Sequence, residues 1–261
     1  SKLVTDGTTG AITTPKNCWH YPEGKSGDHS NTQYALLGLR SAQRSGVRVP
    51  RDLWEDVWVK VIDHFLDVQE KDGPQVMRYK MLEDDGEYVI YKPITSIPDR
   101  ARGWTYSAGI DAKPGGTIHS DATTGSMTSV GVASLLIGME GLTAIRSAKL
   151  NSSMRNELIK GAWDGLAWLT HHFKVDTNPG HPDGSWVYYY LYGLERAAVL
   201  AGVRNLGQHD WYREGADWLV TTQRGDGSWN SGHGSGILPS TCFALLFLTK
   251  ATVPGRVKIT R

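Results

Sequence analysis

The chain has 261 residues, and its 28 Lys and Arg nearly balance its 27 Asp and Glu, giving a formal net charge of +1. That balance excludes the basic excess of a nucleic-acid binder and the acidic run of a solvating tail. Hydrophobic residues make up 39% and charged residues 21%, the composition of a globular protein able to bury a core. No run approaches 18 uninterrupted apolar residues, so no membrane span is expected.

The N-terminal segment 1–29 reads as irregular and carries Cys18-Trp19-His20-Tyr21. The chain begins without Met and without a secretory leader pattern, which points to a processed or trimmed start. Asn31–Leu39 is a short apolar run rich in small residues, the pattern of a helix buried on most sides. After Pro50, residues 52–70 form an amphipathic helix. Leu53, Trp54, Val57, Val61, Ile62, Phe65 and Leu66 fall at helical spacing on one face. Residues 74–102 read as an insertion, with Val76–Tyr79 and Tyr88–Tyr91 expected to pair across the Asp85-Gly86 turn. Gly103-Trp104-Thr105-Tyr106 and a Gly/Pro-rich loop then lead to an apolar helix over 126–136.

The alternation continues. An amphipathic helix over 152–173 precedes Asp183-Gly184-Ser185-Trp186 and the tyrosine-rich helix 188–194. Another over 210–223 precedes Asp226-Gly227-Ser228-Trp229 and the apolar helix 239–248. The loop tryptophans Trp19, Trp104, Trp186 and Trp229 stand 85, 82 and 43 residues apart. A bare helix-pair repeat accounts for the last spacing, and insertions lengthen the others. No domain boundary interrupts the pattern, so 1–261 reads as one domain or part of one.

One segment is more specific. Trp218-Leu219, Gln223, Gly227 and Trp229 follow the pattern aromatic, aliphatic, three residues, Gln, three residues, Gly, one residue, Trp. This resembles the QW motif of the squalene/hopene cyclase and prenyltransferase repeat superfamily. Degraded copies run from Gly161 to Trp186 and, split by the insertion, from Gln69-Glu70-Lys71-Asp72-Gly73 to Gly103-Trp104. The run Tyr189–Arg196 followed by Gly207–Tyr212 looks more like bacterial prenyltransferase/squalene-oxidase-repeat proteins of unknown function. The resemblance implies an all-α fold, an α/α toroid of alternating inner and outer helices. In that family the Gln caps an outer helix and stacks on the Trp. A complete ring needs twelve helices and this chain offers about seven. The resemblance therefore implies a part of a longer chain, or a half-ring that associates with its own copy.

The chemistry of that superfamily is missing. No Asp-x-Asp-Asp acid, no Asp-Asp-x-x-Asp magnesium motif and no Asp-x-Cys zinc pair occurs, and Glu83-Asp84-Asp85 reads as a solvated loop. Cys18 and Cys242 can form a disulfide only if the fold brings their Cα atoms within about 7 Å. No cofactor and no metal are expected. What remains is a rim. In a toroid the inner helices run parallel, and their converging N-termini favour anions. The candidate ligand-binding residues there are Trp19, Tyr21, Asp28, His29, Trp104, Tyr106, His119, Asp121, Tyr188 and His233. The expected role is a non-catalytic toroid that binds a small molecule, a glycan or a partner, or that scaffolds a larger bacterial protein. A polysaccharide lyase or hydrolase using the toroid mouth is the alternative, and an atypical terpenoid cyclase is a third. Neither nucleic-acid nor membrane partners are expected, and an extracytoplasmic setting is favoured over the cytoplasm.

Overall fold

A computed structural model describes residues 18–19, 28–84, 89–107, 122–181, 183, 185–230 and 236–255. These form seven helices and a hairpin: α1 (His29–Arg44), α2 (Arg51–Asp67), β1 (Gln75–Asp84), β2 (Val89–Arg100), α3 (Gly125–Ala144), α4 (Ser152–His171), α5 (Val187–Ala201), α6 (Trp211–Thr222) and α7 (Ile237–Leu248). The protein is thus mostly helical, with one small antiparallel sheet.

Side chains that satisfy the first orphan N–H groups set the helix starts. Asp28 accepts from Asn31 N at α1, Thr124 from Met127 N at α3, Asn151 from Met154 N at α4 and Asp210 from Arg213 N at α6. Pro50 takes the same position before α2 without a side-chain bond.

Helix α3 is the centre. It has no polar face, and eighteen of its twenty residues are buried. It touches α1, α2, α4 and α5, while α7 packs on α5 and α6 sits against both α5 and α7. Helices α1, α3, α5 and α7 therefore form one row, although α1 departs from the expected burial on most sides: it is amphipathic, and only five of its sixteen residues are buried. The amphipathic helices α2, α4 and α6 lie against it, and the hairpin rests on α4. Close approach explains the glycines of α3. A Cβ on Gly131 would lie 2.2 Å from the Trp104 ring, and one on Gly141 would lie 2.4 Å from Trp58.

One anchoring device occurs twice. Trp104 Nε1 donates to the Phe65 carbonyl in the last turn of α2 (2.7 Å), and Trp229 Nε1 donates to the Leu219 carbonyl in the last turn of α6 (2.8 Å). Each accepting residue stands four before the glutamine of its motif, Gln69 and Gln223. The glutamines do not cap their own helices. Gln69 Nε2 donates to the Arg102 and Gly161 carbonyls, and Gln223 Nε2 donates to the Gly227 carbonyl. The indole closes the helix end, and the amide holds the neighbouring loop. Trp186 departs from this scheme. It adopts φ of 66°, stands at the N-terminus of α5 and is exposed.

The hairpin pairs differently from the sequence expectation. Val76 faces Asp99, and Arg78 and Tyr79 face Ile94 and Pro93, because both strands run further from the connection at 85–88 than the apolar residues suggested. Two register shifts, between Val76 and Arg78 and between Met81 and Glu83, absorb the mismatch. Cys18 and Cys242 are both free thiols.

Candidate metal centre

Asp28 fixes the entry to α1. Its carboxylate accepts from Asn31 N (2.8 Å), Ser30 Oγ (2.6 Å) and Asn31 Nδ2 (2.8 Å), so it is consumed by the cap. The backbone around it is held from two sides. Asp28 N donates to the Trp19 carbonyl (2.9 Å), and Trp19 N donates to Thr32 Oγ1 (3.0 Å). These bonds lay the Cys18–Trp19 segment against the first turn of α1. On the other side, His29 N donates to the Tyr106 carbonyl (3.1 Å).

His29 is the first residue of α1 and is fully buried. Its Nδ1 lies 2.6 Å from the Thr105 carbonyl. A carbonyl can only accept, so Nδ1 carries the proton and Nε2 presents a lone pair. That lone pair faces His64 Nε2, from the last turn of α2, at 3.0 Å. In this form His64 Nε2–H donates to His29 Nε2. The Phe65 ring packs on His29 with centroids 4.9 Å apart. Cys18 Sγ completes the group, 2.7 Å from Thr32 Oγ1. The Thr32 hydroxyl itself donates to the Asp28 carbonyl (2.7 Å).

Cys18 Sγ and one nitrogen from each of His29 and His64 all lie within 4.8 Å of one another. A tetrahedral zinc site, with bonds of about 2.3 Å to sulfur and about 2.0 Å to nitrogen, requires donor separations of roughly 3.3–3.7 Å. The imidazoles need to open slightly, and the thiol has to close by at most about 1 Å. The bond from His29 Nδ1–H to a backbone carbonyl is the outer contact that orients metal-binding histidines.

The electrostatics keep all three groups neutral when no cation is bound. Burial, with His64 as a second cause, pushes His29 down to about 4. Burial also lowers His64 and raises the Cys18 thiol to about 11. His29 Nε2 is a ready donor, and neutral His64 becomes one when its proton shifts from Nε2 to Nδ1. The thiol would release its proton to a cation, as thiolate ligands do.

Of the residues singled out in the sequence, Trp19, Asp28, His29 and Tyr106 do come together. Trp19 and Tyr106 contribute their backbones, and Asp28 contributes its cap. Trp104 is buried and points to the end of α2. Tyr188 packs against Trp218 of α6, with centroids 5.6 Å apart, away from this centre. Tyr21, His119, Asp121 and His233 lie outside the described residues. Trp218, Gln223, Gly227 and Trp229 gather at the end of α6.

Sequence reading missed Cys18 and His64 as members of this site. The spacing 18, 29, 64 forms no compact ligand motif. One signal was present: His64 interrupts the apolar stripe of Val61, Ile62 and Phe65, where a titratable side chain needs a buried partner. Comparison with protein-family models, with curated proteins and with solved structures finds no match for this chain.

Proposed function

We propose that the chain is an α/α-toroid module of the terpene-cyclase-like repeat type. In this reading a transition-metal centre at the inner-helix mouth, made by Cys18, His29 and His64, serves ligand binding. One observation carries the reading. Three donor atoms of metal-binding type, from three separate segments, meet in a largely buried place, and His29 is already turned by Thr105 to present its lone pair. One thiolate with two imidazoles suits zinc, whereas magnesium and calcium call for oxygen donors.

The toroid part rests on the alternation of inner-type and outer-type helices and on the repeated indole anchor at the ends of α2 and α6. Ile237, Leu238 and Leu245 of α7 are exposed, which supports continuation of the row by a partner or a second copy. Native mass spectrometry separates monomer from dimer.

A second, catalytic reading is favoured by the ligand count. Three protein ligands are the number in zinc sites that keep a fourth position for a reacting water.

The test of the centre is a zinc titration of the tag-free chain against a chromophoric chelator, with metal content read by mass spectrometry. One equivalent is expected. Cys18→Ser and His64→Gln should each weaken zinc by at least about tenfold while the helical circular dichroism persists. Wild-type protein that takes up no zinc, or variants that bind it as wild type does, would refute the centre.

A further inference from the structure

A second polar group lies one helical turn along α1 from His29. Gln33 follows His29 by four residues, so the two side chains share a face with Cβ atoms about 5–6 Å apart. Gln33 bridges to α5. Its Nε2 donates to the Tyr189 hydroxyl, and its Oε1 accepts from Arg196 Nη1. The Arg196 guanidinium lies over the Tyr192 ring, 4.0 Å from the centroid, and Tyr192 stacks on Phe243 of α7, centroids 5.3 Å apart. Helices α1, α5 and α7 therefore meet around one cation.

That cation is only 1% exposed, and its Nη2 has no hydrogen-bond partner. Several other buried charges are ion-paired, and the buried carboxylates Glu70, Glu195 and Asp28 are held by hydrogen bonds. Arg40 is paired with Glu140, Asp99 with Arg78, and Asp164 with Arg102 and Lys160. No ion pair joins Arg196 among the described residues, and the nearby carboxylates are engaged elsewhere. Glu195, the next residue along, is also buried and near enough to feel the guanidinium, but it forms no ion pair with it; Thr252 N and Oγ1 donate to its carboxylate instead. Asp28 is held by its cap. Tyr189 is no counter-charge either, because burial drives its hydroxyl far above the usual range and keeps it neutral. A buried guanidinium with an unpartnered Nη2 and no ion pair among the described residues is costly, and an oxyanion would offset that cost.

We infer that Arg196, oriented by Gln33 and floored by Tyr192, binds the carboxylate or phosphate oxygen of a small ligand with an aromatic or apolar body. Nη2 donates to the oxyanion, and the Tyr189 hydroxyl is placed to donate a second bond. The half-buried rings of Tyr192 and Phe243 take the apolar body. The ligand's other end reaches toward the Cys18–His29–His64 centre. This last point alone rests on the metal reading, and the binding of the oxyanion does not.

The probes are benzoate and phenyl phosphate, titrated calorimetrically into the full chain with and without zinc. Nitrogen resonances of labelled arginine are followed in parallel. At least one probe should slow rotation of the Arg196 guanidinium and resolve its Nη signals. The Arg196→Met variant should bind that probe at least about tenfold more weakly while taking up zinc as wild type does. Which probe binds assigns the carboxylate or the phosphate source. Arg196 signals unmoved by both probes, or equal affinity in Arg196→Met, would overturn the inference. The wild-type resonances decide even if the variant fails to fold. Probe binding without zinc uptake would sink the metal centre and leave this inference standing; zinc uptake without probe binding would do the reverse.

Discussion

His29 carries two jobs that conflict in acid. Buried and neutral, it accepts from His64 and donates to Thr105; protonated, it would place a charge in that pocket. Its native value of about 4 lies below the 6.5 of a free imidazole. Between those values the unfolded chain holds a proton that the native one refuses. The stabilisation is therefore complete above about pH 6.5 and is lost progressively as pH falls towards 4, by about 3 kcal/mol from His29 alone. His64 acts in the same direction. Urea unfolding in the presence of a chelator at pH 7 and pH 4.5 measures this. A rise in stability on acidification would contradict the neutral pair.

Gly131 gives a second expectation at the residue scale. Gly131→Ala would press a methyl group into the Trp104 ring, which also faces Gly165 and has nowhere to retreat. A loss of about 1–3 kcal/mol is expected in urea unfolding. At this scale the sequence was partly readable. Trp104 stood out as a candidate ligand-binding residue and Trp229 as part of the QW-like motif; both indoles instead bond to helix-end carbonyls. Cys18 and His64 did not stand out, because a ligand set drawn from a loop and two helices leaves no local spacing to read. Arg196 was visible as a charge on a tyrosine-rich helix. That it forms no ion pair with Glu195 was not, since Thr252, far along the chain, engages that carboxylate.

Helices were the most legible elements: α2, α4 and α6 showed an apolar face at helical spacing, whereas α3 and α7 were legible as continuous apolar runs. Their ends were less so. Helix α1 runs to Arg44, five residues beyond the apolar stretch, because Arg40–Arg44 is polar and leaves no hydrophobic signal while still sustaining the backbone ladder. The hairpin register was misjudged for the opposite reason: apolar residues marked part of each strand, whereas pairing is counted outward from the connection. Two element-scale outcomes follow. Thr124→Ala removes the cap of α3 and should cost about 1 kcal/mol. Trp104→Phe keeps the ring but leaves the Phe65 carbonyl unpaired in a buried site, costing about 1–3 kcal/mol. Trp229→Phe makes the same deletion at the end of α6. If neither change lowers the melting temperature, the indole bonds do not hold the repeat together.

At the scale of the whole molecule, one continuous core joins the described helices from Leu36 to Phe247. The proposed centre ties the Cys18 segment to α1 and α2, and through Thr105 to the loop that follows the hairpin. A metal held there binds only the folded chain, so zinc at a hundred times its dissociation constant should add about 2.7 kcal/mol to stability. Differential scanning calorimetry with and without zinc reads that directly, and an unchanged melting temperature would count against the centre.

The position of α3 has a kinetic consequence. Four other helices surround it, and its own surface has no polar side. Water can reach its backbone amides only when those neighbours separate, which amounts to opening the whole core. Deuterium uptake along α3 should therefore be slow, uniform and equal to the rate of global unfolding, whereas α7, which among the described helices packs on α5 and α6, should exchange earlier through local openings. The row would then come apart from the α7 edge inward.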